Sequence, residues 1–360
     1  MKTLPMRAAH ERRGAKFIEF AGWELPVSYD GIIREYTAVR SSLGVFDISH
    51  MGKFFLSGHD AASLLQEVLV SDVMKFIPGC AYYSLVCGPS GGILDDVVVY
   101  KVGEEAFILI ANAASEVKIA AHLAAFARGG ADIANLTGSH VLFAVQGPLS
   151  ADTVGKICPG AACLDFYTFV QSEYRGKKIY VARTGYTGEL GWEILADAET
   201  GRVIWEEIAP PSVQVCGLGA RDMLRAEMGY RLYGTDMDEH TTPFTAGLMW
   251  TVSLQKGPFT GREGIIADME SASGEKFIPF VMSGDAGIPR HHYGIYSAAE
   301  KIGHVTTGGK SPVLGITFGM GYIRRSYAGE ELFIEIRGKK IAASRAKLPF
   351  YRQGSVKIKL

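Results

Sequence analysis

Gly91-Gly92-Ile93-Leu94-Asp95-Asp96-Val97-Val98-Val99-Tyr100 sets two adjacent carboxylates in the middle of an apolar run of strand character. Alternation puts Ile93, Asp95, Val97 and Val99 on one face and Leu94, Asp96, Val98 and Tyr100 on the other. Both faces are otherwise apolar, which predicts a strand covered on both sides. An unpaired carboxylate there would cost several kcal/mol, so the acids must be partnered or used. Two readings of these residues stand side by side. In one, Pro89-Ser90-Gly91-Gly92 is a turn leading into the strand, and loop amides hold the acids at its mouth. In the other, a carboxylate is aimed into a pocket, ready to accept a proton or steady a cation.

Working outward, strands are expected over 81–87, 92–100 and 106–111, ending at Asn112. A helix is expected over 115–128, where Val117, Ile119, Ala120, Leu123 and Phe126 recur at helical spacing. That order belongs to an α+β layer rather than to a doubly wound sheet. Upstream, Asp60 is placed to cap a helix that has Ala61, Leu64, Leu65 and Val68 on one face. The run 46–56 is strand-like at both ends and polar at its centre, where His50 reads as a structural histidine. Before it, Ile32, Ile33, Tyr36, Val39 and Leu43 predict a short helix stopped by Gly44, and Gly22 and Pro26 bracket a turn that presents Trp23.

Downstream, a strand over 140–146 closes on Gly147-Pro148, with Pro148 expected in the first turn of a helix. A hairpin turning at Arg175-Gly176-Lys177-Lys178 runs into a segment whose Gly185, Gly188 and Gly191 suit either a ligand mouth or a β-bulge. Helical spacing returns over 201–208 and again after Cys216. In that last helix Arg221 and Arg225 share a face suited equally to an anion or to ion pairs. The loop 233–240 holds Asp236, Asp238, Glu239 and His240, but it lacks calcium-loop spacing and a second histidine, so it reads as a polar loop with no metal.

A chain of 360 residues exceeds one ordinary core, so two or three domains are expected, with the main boundary in the small, polar stretch 269–275. Beyond it, short strands between Gly and Pro turns predict a small barrel or sandwich. Lys and Arg number 37 against 38 Asp and Glu, a net charge of -1 that argues against nucleic-acid binding by bulk charge. The five cysteines are scattered, with no Cys-x-x-Cys pair, as in a reducing compartment. There is no apolar signal core and no long apolar run, so a cytoplasmic, non-membrane protein is expected.

A family resemblance is carried by Phe20-Ala21-Gly22-Trp23, Phe46-Asp47-Ile48-Ser49-His50-Met51, Gly92-Ile93-Leu94-Asp95-Asp96 and Gln146-Gly147-Pro148. It continues through Arg183-Thr184-Gly185-Tyr186-Thr187-Gly188-Glu189, Gly217-Leu218-Gly219-Ala220-Arg221-Asp222 and Leu232-Tyr233-Gly234-Thr235-Asp236-Met237-Asp238-Glu239. In this order, over nearly the whole chain, the set resembles the T-protein family of the glycine cleavage system. Val305-Thr306-Thr307-Gly308-Gly309-Lys310-Ser311-Pro312 and Gly319-Met320-Gly321-Tyr322 resemble that family's last domain.

The resemblance implies an α+β, three-domain cloverleaf around a folate cavity. Two mixed α/β lobes, 1–50 with 140–272 and 51–139, would form the folate-binding region 1–272, and 273–360 a C-terminal β-barrel. It also implies an aminomethyltransferase that takes the aminomethyl group from the lipoyl arm of H-protein and passes its carbon to tetrahydrofolate, releasing ammonia. By motif position, Asp96 matches the key carboxylate near N5 and N10 of the folate, with Asp95 beside it. Glu193 and Arg221 match pterin-binding positions, Tyr83, Asn112 and Tyr186 match pocket-lining ones, and Met51 is counted among the folate contacts. Arg352, near the far end, closes the cavity or meets H-protein.

Thr3-Leu4-Pro5-Met6 departs from the family's Thr-Pro-Leu, and Thr307 stands where Ser is usual, both outside the residues assigned to chemistry. The same fold serves folate-dependent demethylases of small methylated compounds. It also serves folate-binding factors of iron-sulfur assembly, whose Lys-Gly-Cys-Tyr-x-Gly-Gln-Glu string is replaced here by residues 183–189, without the cysteine.

Overall fold

In the computed structural model, which describes residues 1–284 and 287–357, Ile93–Gly103 is a strand in which Ile93, Asp95, Val97 and Val99 are buried while Leu94, Asp96 and Val98 are partly open. It lies second in a five-stranded sheet ordered Ala81–Cys87, Ile93–Gly103, Ala106–Ala111, Gly52–Ser57, Asp132–Asn135. The turn before it is tight: Gly91 has φ +85°, Gly91 N–H donates to the Gly88 carbonyl at 2.9 Å, and Gly88 N–H donates to that of Gly92 at 2.8 Å.

What covers each face of the strand decides where its acids look. Val97 and Val99 enter a cluster with Phe54, Leu56, Phe107 and Leu109, roofed by Leu64, Leu65 and Val68 of the helix Ala61–Val68 and by Ile119 and Leu123 of Glu116–Phe126. Val98 and Tyr100, on the other face, pack toward Phe46, Leu142, Ala144 and Leu195 of a second sheet. Asp95 therefore lies on the helix side and Asp96 on the side that meets the second sheet.

That second sheet has six strands, ordered Phe169–Tyr174, Lys177–Ala182, Gly191–Asp197, His140–Gln146, Gly44–Asp47, Gln214–Val215, the last running parallel to its neighbour. Its far face buries Phe143, Val145, Trp192 and Ile194 against the helices Ser150–Ile157 and Ala198–Ile208. Asp197 starts the latter by accepting from the N–H groups of Glu199 and Thr200, a cap that contributes about 1 kcal/mol. The C-terminal part is a closed six-stranded barrel, Glu275–Met282, Thr317–Arg324, Lys301–Lys310, Gly294–Tyr296, Leu332–Ile336, Lys339–Arg345, filled by Phe280, Ile295, Val305, Ile323 and Ile334. The chain is thus α+β, with mixed sheets and a terminal β-barrel.

Several local expectations change. Gly44 does not stop the helix, which ends at Ser41; it opens a strand, because a Cβ there would stand 2.4 Å from Val39 Cγ2 and 2.7 Å from Cys216 Sγ. Pro148 precedes its helix, since the Leu149 N–H is taken by the Ser42 carbonyl at 3.0 Å and the first turn begins at Ser150. Asp60 stands at the helix start but makes no side-chain cap. Trp23 is not presented: it sits in the strand Trp23–Ser28 and is buried with Leu4 and Leu25. The strand Gly294–Tyr296 has three residues, too few to show a period.

Gly92 shows how closely the carboxylate strand is packed. A Cβ there would lie 1.8 Å from the Glu239 carbonyl oxygen, and the next residue, Ile93, donates its N–H to Thr241 O at 2.9 Å. Gly92→Ala is expected to lower stability by about 1–3 kcal/mol through this overpacking, measured as a fall in Tm. An unchanged Tm would mean that the 239–241 segment yields freely.

Candidate active site

One amide side chain joins the two acids. Asn112, just past the strand Ala106–Ala111, donates from its backbone N–H to Asp95 Oδ2 at 2.9 Å and from Nδ2 to Asp95 Oδ1 and Asp96 Oδ1, each at 2.8 Å. Tyr83 stands on the neighbouring strand, where it pairs in register with Val98 and so shares the Asp96 face. The amide that secures Asp95 is that of Asn112, at the end of an adjacent strand, and not one from the entry turn 89–92, while Asp96 looks toward the second sheet.

Burial raises both carboxyls. Asp95, with its like-charged neighbour adding to the effect, is well above its ordinary value. Asp96 is pushed up to about 6, although Tyr83 and Asn112 draw it back. Two carboxylates on one amide each raise the cost of ionising the other.

The facing wall comes from the second sheet and the helix Leu218–Met228. Glu193, on the strand Gly191–Asp197, accepts at Oε2 from Thr184 Oγ1 at 2.7 Å and from the Tyr100 hydroxyl at 3.3 Å. Tyr100 belongs to the carboxylate strand, so this last bond spans the two sheets. Arg221 lies 4.7 Å from the Tyr186 ring centroid. The Tyr186 ring stacks on Tyr230 at 5.5 Å, and its hydroxyl donates to the Arg231 carbonyl at 2.6 Å. Half-buried, the Arg221 guanidinium has no hydrogen bond to any described residue. Burial lowers its pKa, and Glu193 works against that.

Of the expected residues, Asp96, Asn112 and Tyr83 come together on one wall, with Asp95 behind it on the helix side of the strand, and Glu193, Arg221 and Tyr186 stand on the other. Met51 is half-buried against the cluster that contains Tyr100, and its carbonyl accepts from the buried Lys53 Nζ at 2.7 Å. Arg352 lies in the tail beyond the last barrel strand. It is exposed, with its guanidinium turned back to the carbonyls of Pro349 at 3.2 Å and Lys347 at 3.3 Å. Arg225 is no twin of Arg221, because it is buried in ion pairs with Asp222 and Asp236.

Three further residues belong near this site. Tyr100 shares the parity of Asp96, a signal present in the sequence. Trp250 stacks on Tyr83 at 5.6 Å while 71% exposed, and nothing in the local pattern marked it. His50 is buried, but its Nδ1 has no hydrogen-bond partner among the described residues, so it is not a fully satisfied structural histidine. Burial, aided by Arg221, pushes it down to about 3 and keeps it neutral. The glycines at 185 and 191 are close to the Gln146 side chain, at 2.1 and 2.3 Å from where a Cβ would stand, so their room is used by the protein itself.

An antiparallel five-stranded sheet facing a mixed six-stranded one, with a closed barrel appended, defines the class of α+β architecture to which the chain belongs. The GCVT N-terminal domain family matches residues 6–256, and the glycine cleavage T-protein C-terminal barrel domain family matches residues 276–352. An aminomethyltransferase of Phocaeicola vulgatus is 40% identical over 362 residues, covering 97% of this chain and 99% of that one. One of Halothermothrix orenii is 37% identical over 357 residues, covering 97% of this chain and all of its own. The crystal structure of glycine cleavage system aminomethyltransferase T from Bartonella henselae matches with a TM-score of 0.91 at 33% identity, over 98% of this chain and 99% of that chain. The chain belongs to the glycine cleavage T-protein family and is a homologue of aminomethyltransferases.

Proposed function

We propose that this protein is the aminomethyltransferase of a cytoplasmic glycine cleavage system, moving the methylene carbon of the aminomethyl-lipoyl arm of H-protein to tetrahydrofolate with release of ammonia. The observation that carries the reading is a half-buried guanidinium without a hydrogen-bond partner among the described residues, Arg221, set beside Glu193 and across from Asp96. A fork of donors beside an acceptor matches the polar edge of a pterin, and Tyr186 supplies an aromatic wall. In this reading Asp96 stabilises the positive charge that develops on the carbon as ammonia leaves, while Asn112 keeps the carboxylate aimed. Holding carbon donor and acceptor in one cleft supplies the rest by orientation. The free thiols of Cys80, Cys87, Cys158, Cys163 and Cys216 suit a reducing compartment.

Ammonia release from aminomethyl-loaded H-protein, with and without tetrahydrofolate, tests this directly. Release independent of the folate overturns it, and turnover of a small methylated amine without H-protein would indicate a demethylase instead. Arg221→Ala and Glu193→Ala are each expected to weaken tetrahydrofolate binding by about 1.5–3 kcal/mol, roughly tenfold to a hundredfold, seen as a smaller folate-induced rise in Tm. Normal affinity in both variants would put the pterin elsewhere.

The raised carboxyl adds a pH signature. The working form is the ionised one, and Asp96 gains a proton as the pH falls through about 6. Turnover is therefore expected to be level at neutral pH and to fall below about 6, approaching tenfold per unit. A profile that stays level down to the ordinary carboxylate range, about 4, would remove the charge-stabilising role.

A further inference from the structure

Beyond the barrel, residues 349–356 return to the earlier part of the chain and seat on a buried charge cluster that the proposed chemistry does not use. Arg40, from the helix Ile32–Ser41, lies between two carboxylates, donating from Nη1 to Glu189 Oε1 at 2.9 Å and from Nη2 to Glu227 Oε2 at 2.7 Å. All three side chains are buried. The other oxygen of Glu189 accepts from the Ser355 N–H at 2.9 Å and from the Ser355 hydroxyl at 2.6 Å, and that hydroxyl accepts from the Leu190 N–H at 2.9 Å. The Tyr351 ring centroid lies 3.9 Å from the Arg40 guanidinium, and the N–H groups of Phe350 and Tyr351 donate to the Glu227 carbonyl at 2.9 and 3.1 Å. A Cβ on Gly354 would stand 2.1 Å from the Gly188 carbonyl oxygen, so the chain approaches there as only glycine permits.

The cluster is continuous with one wall of the site. Glu189 lies three residues after Tyr186, whose ring carries the Arg221 guanidinium. Arg40 Nη1 also donates to the Thr187 carbonyl at 2.6 Å, and Thr187 Oγ1 donates to Gln146 Oε1 at 2.9 Å. The segment 186–190 is thus gripped by Gln146 on one side and by Arg40 and the C-terminal tail on the other. A buried ion cluster is a poor source of net stability, because desolvation offsets much of its attraction; fixing a geometry is the use for which such groups are better suited.

We propose that residues 350–356 form a strap whose seating on Glu189 and Arg40 sets the Tyr186 wall, making Gly354 and Ser355 positioning residues for folate binding. This rests on the pterin reading given above. The strap begins after the last barrel strand, so the barrel region contributes to the site through its tail as well as through its packing.

The test uses the full chain carrying Ser355→Ala or Gly354→Val, with Lys357→Ala, an exposed neighbour, as control. Two readouts are needed: hydrogen exchange of the amides in 186–190, and tetrahydrofolate KM and kcat with loaded H-protein. The strap predicts faster exchange at 186–190 and a tetrahydrofolate KM raised about tenfold in both strap variants, with kcat changed less than about twofold and the control silent. Ser355→Thr, which keeps the hydroxyl, should recover most of the affinity. Unchanged exchange overturns the proposal, as does faster exchange with an unchanged KM, or an equal fall in kcat. If the parent protein binds no tetrahydrofolate, the proposed function fails while exchange alone decides the strap, faster exchange in the two variants supporting it and unchanged exchange overturning it.

Discussion

Asp96→Asn is expected to reduce turnover about a hundredfold to a thousandfold, the usual cost of one preorganised electrostatic group, while tetrahydrofolate affinity falls far less. The substitution keeps the size of the side chain and much of its hydrogen bonding, and it removes the charge. The structure adds a matched control. Asp95 is fully buried on the helix side of the same strand, accepting two donors from Asn112. Asp95→Asn sets an NH2 group against those donors, so a lowered Tm and a milder loss of rate are expected from it. Turnover, folate affinity and Tm for the parent, both single variants and the double decide the matter. If Asp95→Asn abolishes turnover while Asp96→Asn works normally, the active carboxylate is on the other face. If both turn over normally, charge stabilisation is not how the reaction is helped.

The opposite facing of these acids was legible in the sequence, since a two-residue period has no other solution. Which face met the second sheet was not, because both faces are apolar and the covering elements come from distant parts of the chain. Helices Ala61–Val68 and Glu116–Phe126 take one side, and strands from 44 to 197 take the other. The arginines show the same limit at closer range. Arg221 and Arg225 lie four residues apart on one helix and look equivalent, yet one has no hydrogen bond among the described residues and the other is consumed by ion pairs. The difference is made by Asp236 and by barrel threonines some eighty residues further on. The strands Ala81–Cys87, Ala106–Ala111 and His140–Gln146 were readable to the residue because each is a short apolar run, buried at most positions on both faces and followed by Gly, Asn or Pro. Arg352 had only its motif position to recommend it, and a motif position does not say which way an exposed side chain turns.

The largest stability effect is expected at Asp236, where the barrel meets the rest of the molecule. Asp236 Oδ2 accepts from Arg225 Nη1 at 2.5 Å and from the Leu232 N–H at 3.0 Å, while Oδ1 accepts from Thr306 Oγ1 at 2.6 Å and Thr307 Oγ1 at 2.7 Å. Tyr322 of the barrel donates its hydroxyl to the Asp236 carbonyl at 2.6 Å, and Arg225 Nη2 reaches Thr307 Oγ1 at 3.1 Å. The Asp236 side chain is 0% exposed and that of Arg225 2%. Removing one partner leaves a buried charge without compensation, so Asp236→Ala is expected to cost about 3–5 kcal/mol at neutral pH by urea unfolding. Arg225→Met combined with Asp236→Leu, which removes both charges, should cost less than either partner removed alone. Burial opposes ionisation of Asp236, but Arg225 and the two threonine hydroxyls hold its carboxyl below the ordinary range. Its contribution is accordingly complete above the unfolded value, about 3.9, and is lost as the pH falls through the lower folded value, so the deficit of Asp236→Ala should persist at pH 5 and narrow only below about 4. A deficit already gone at pH 5, or a double variant as unstable as the sum of the two single changes, would mean that the pair does not hold the barrel in place.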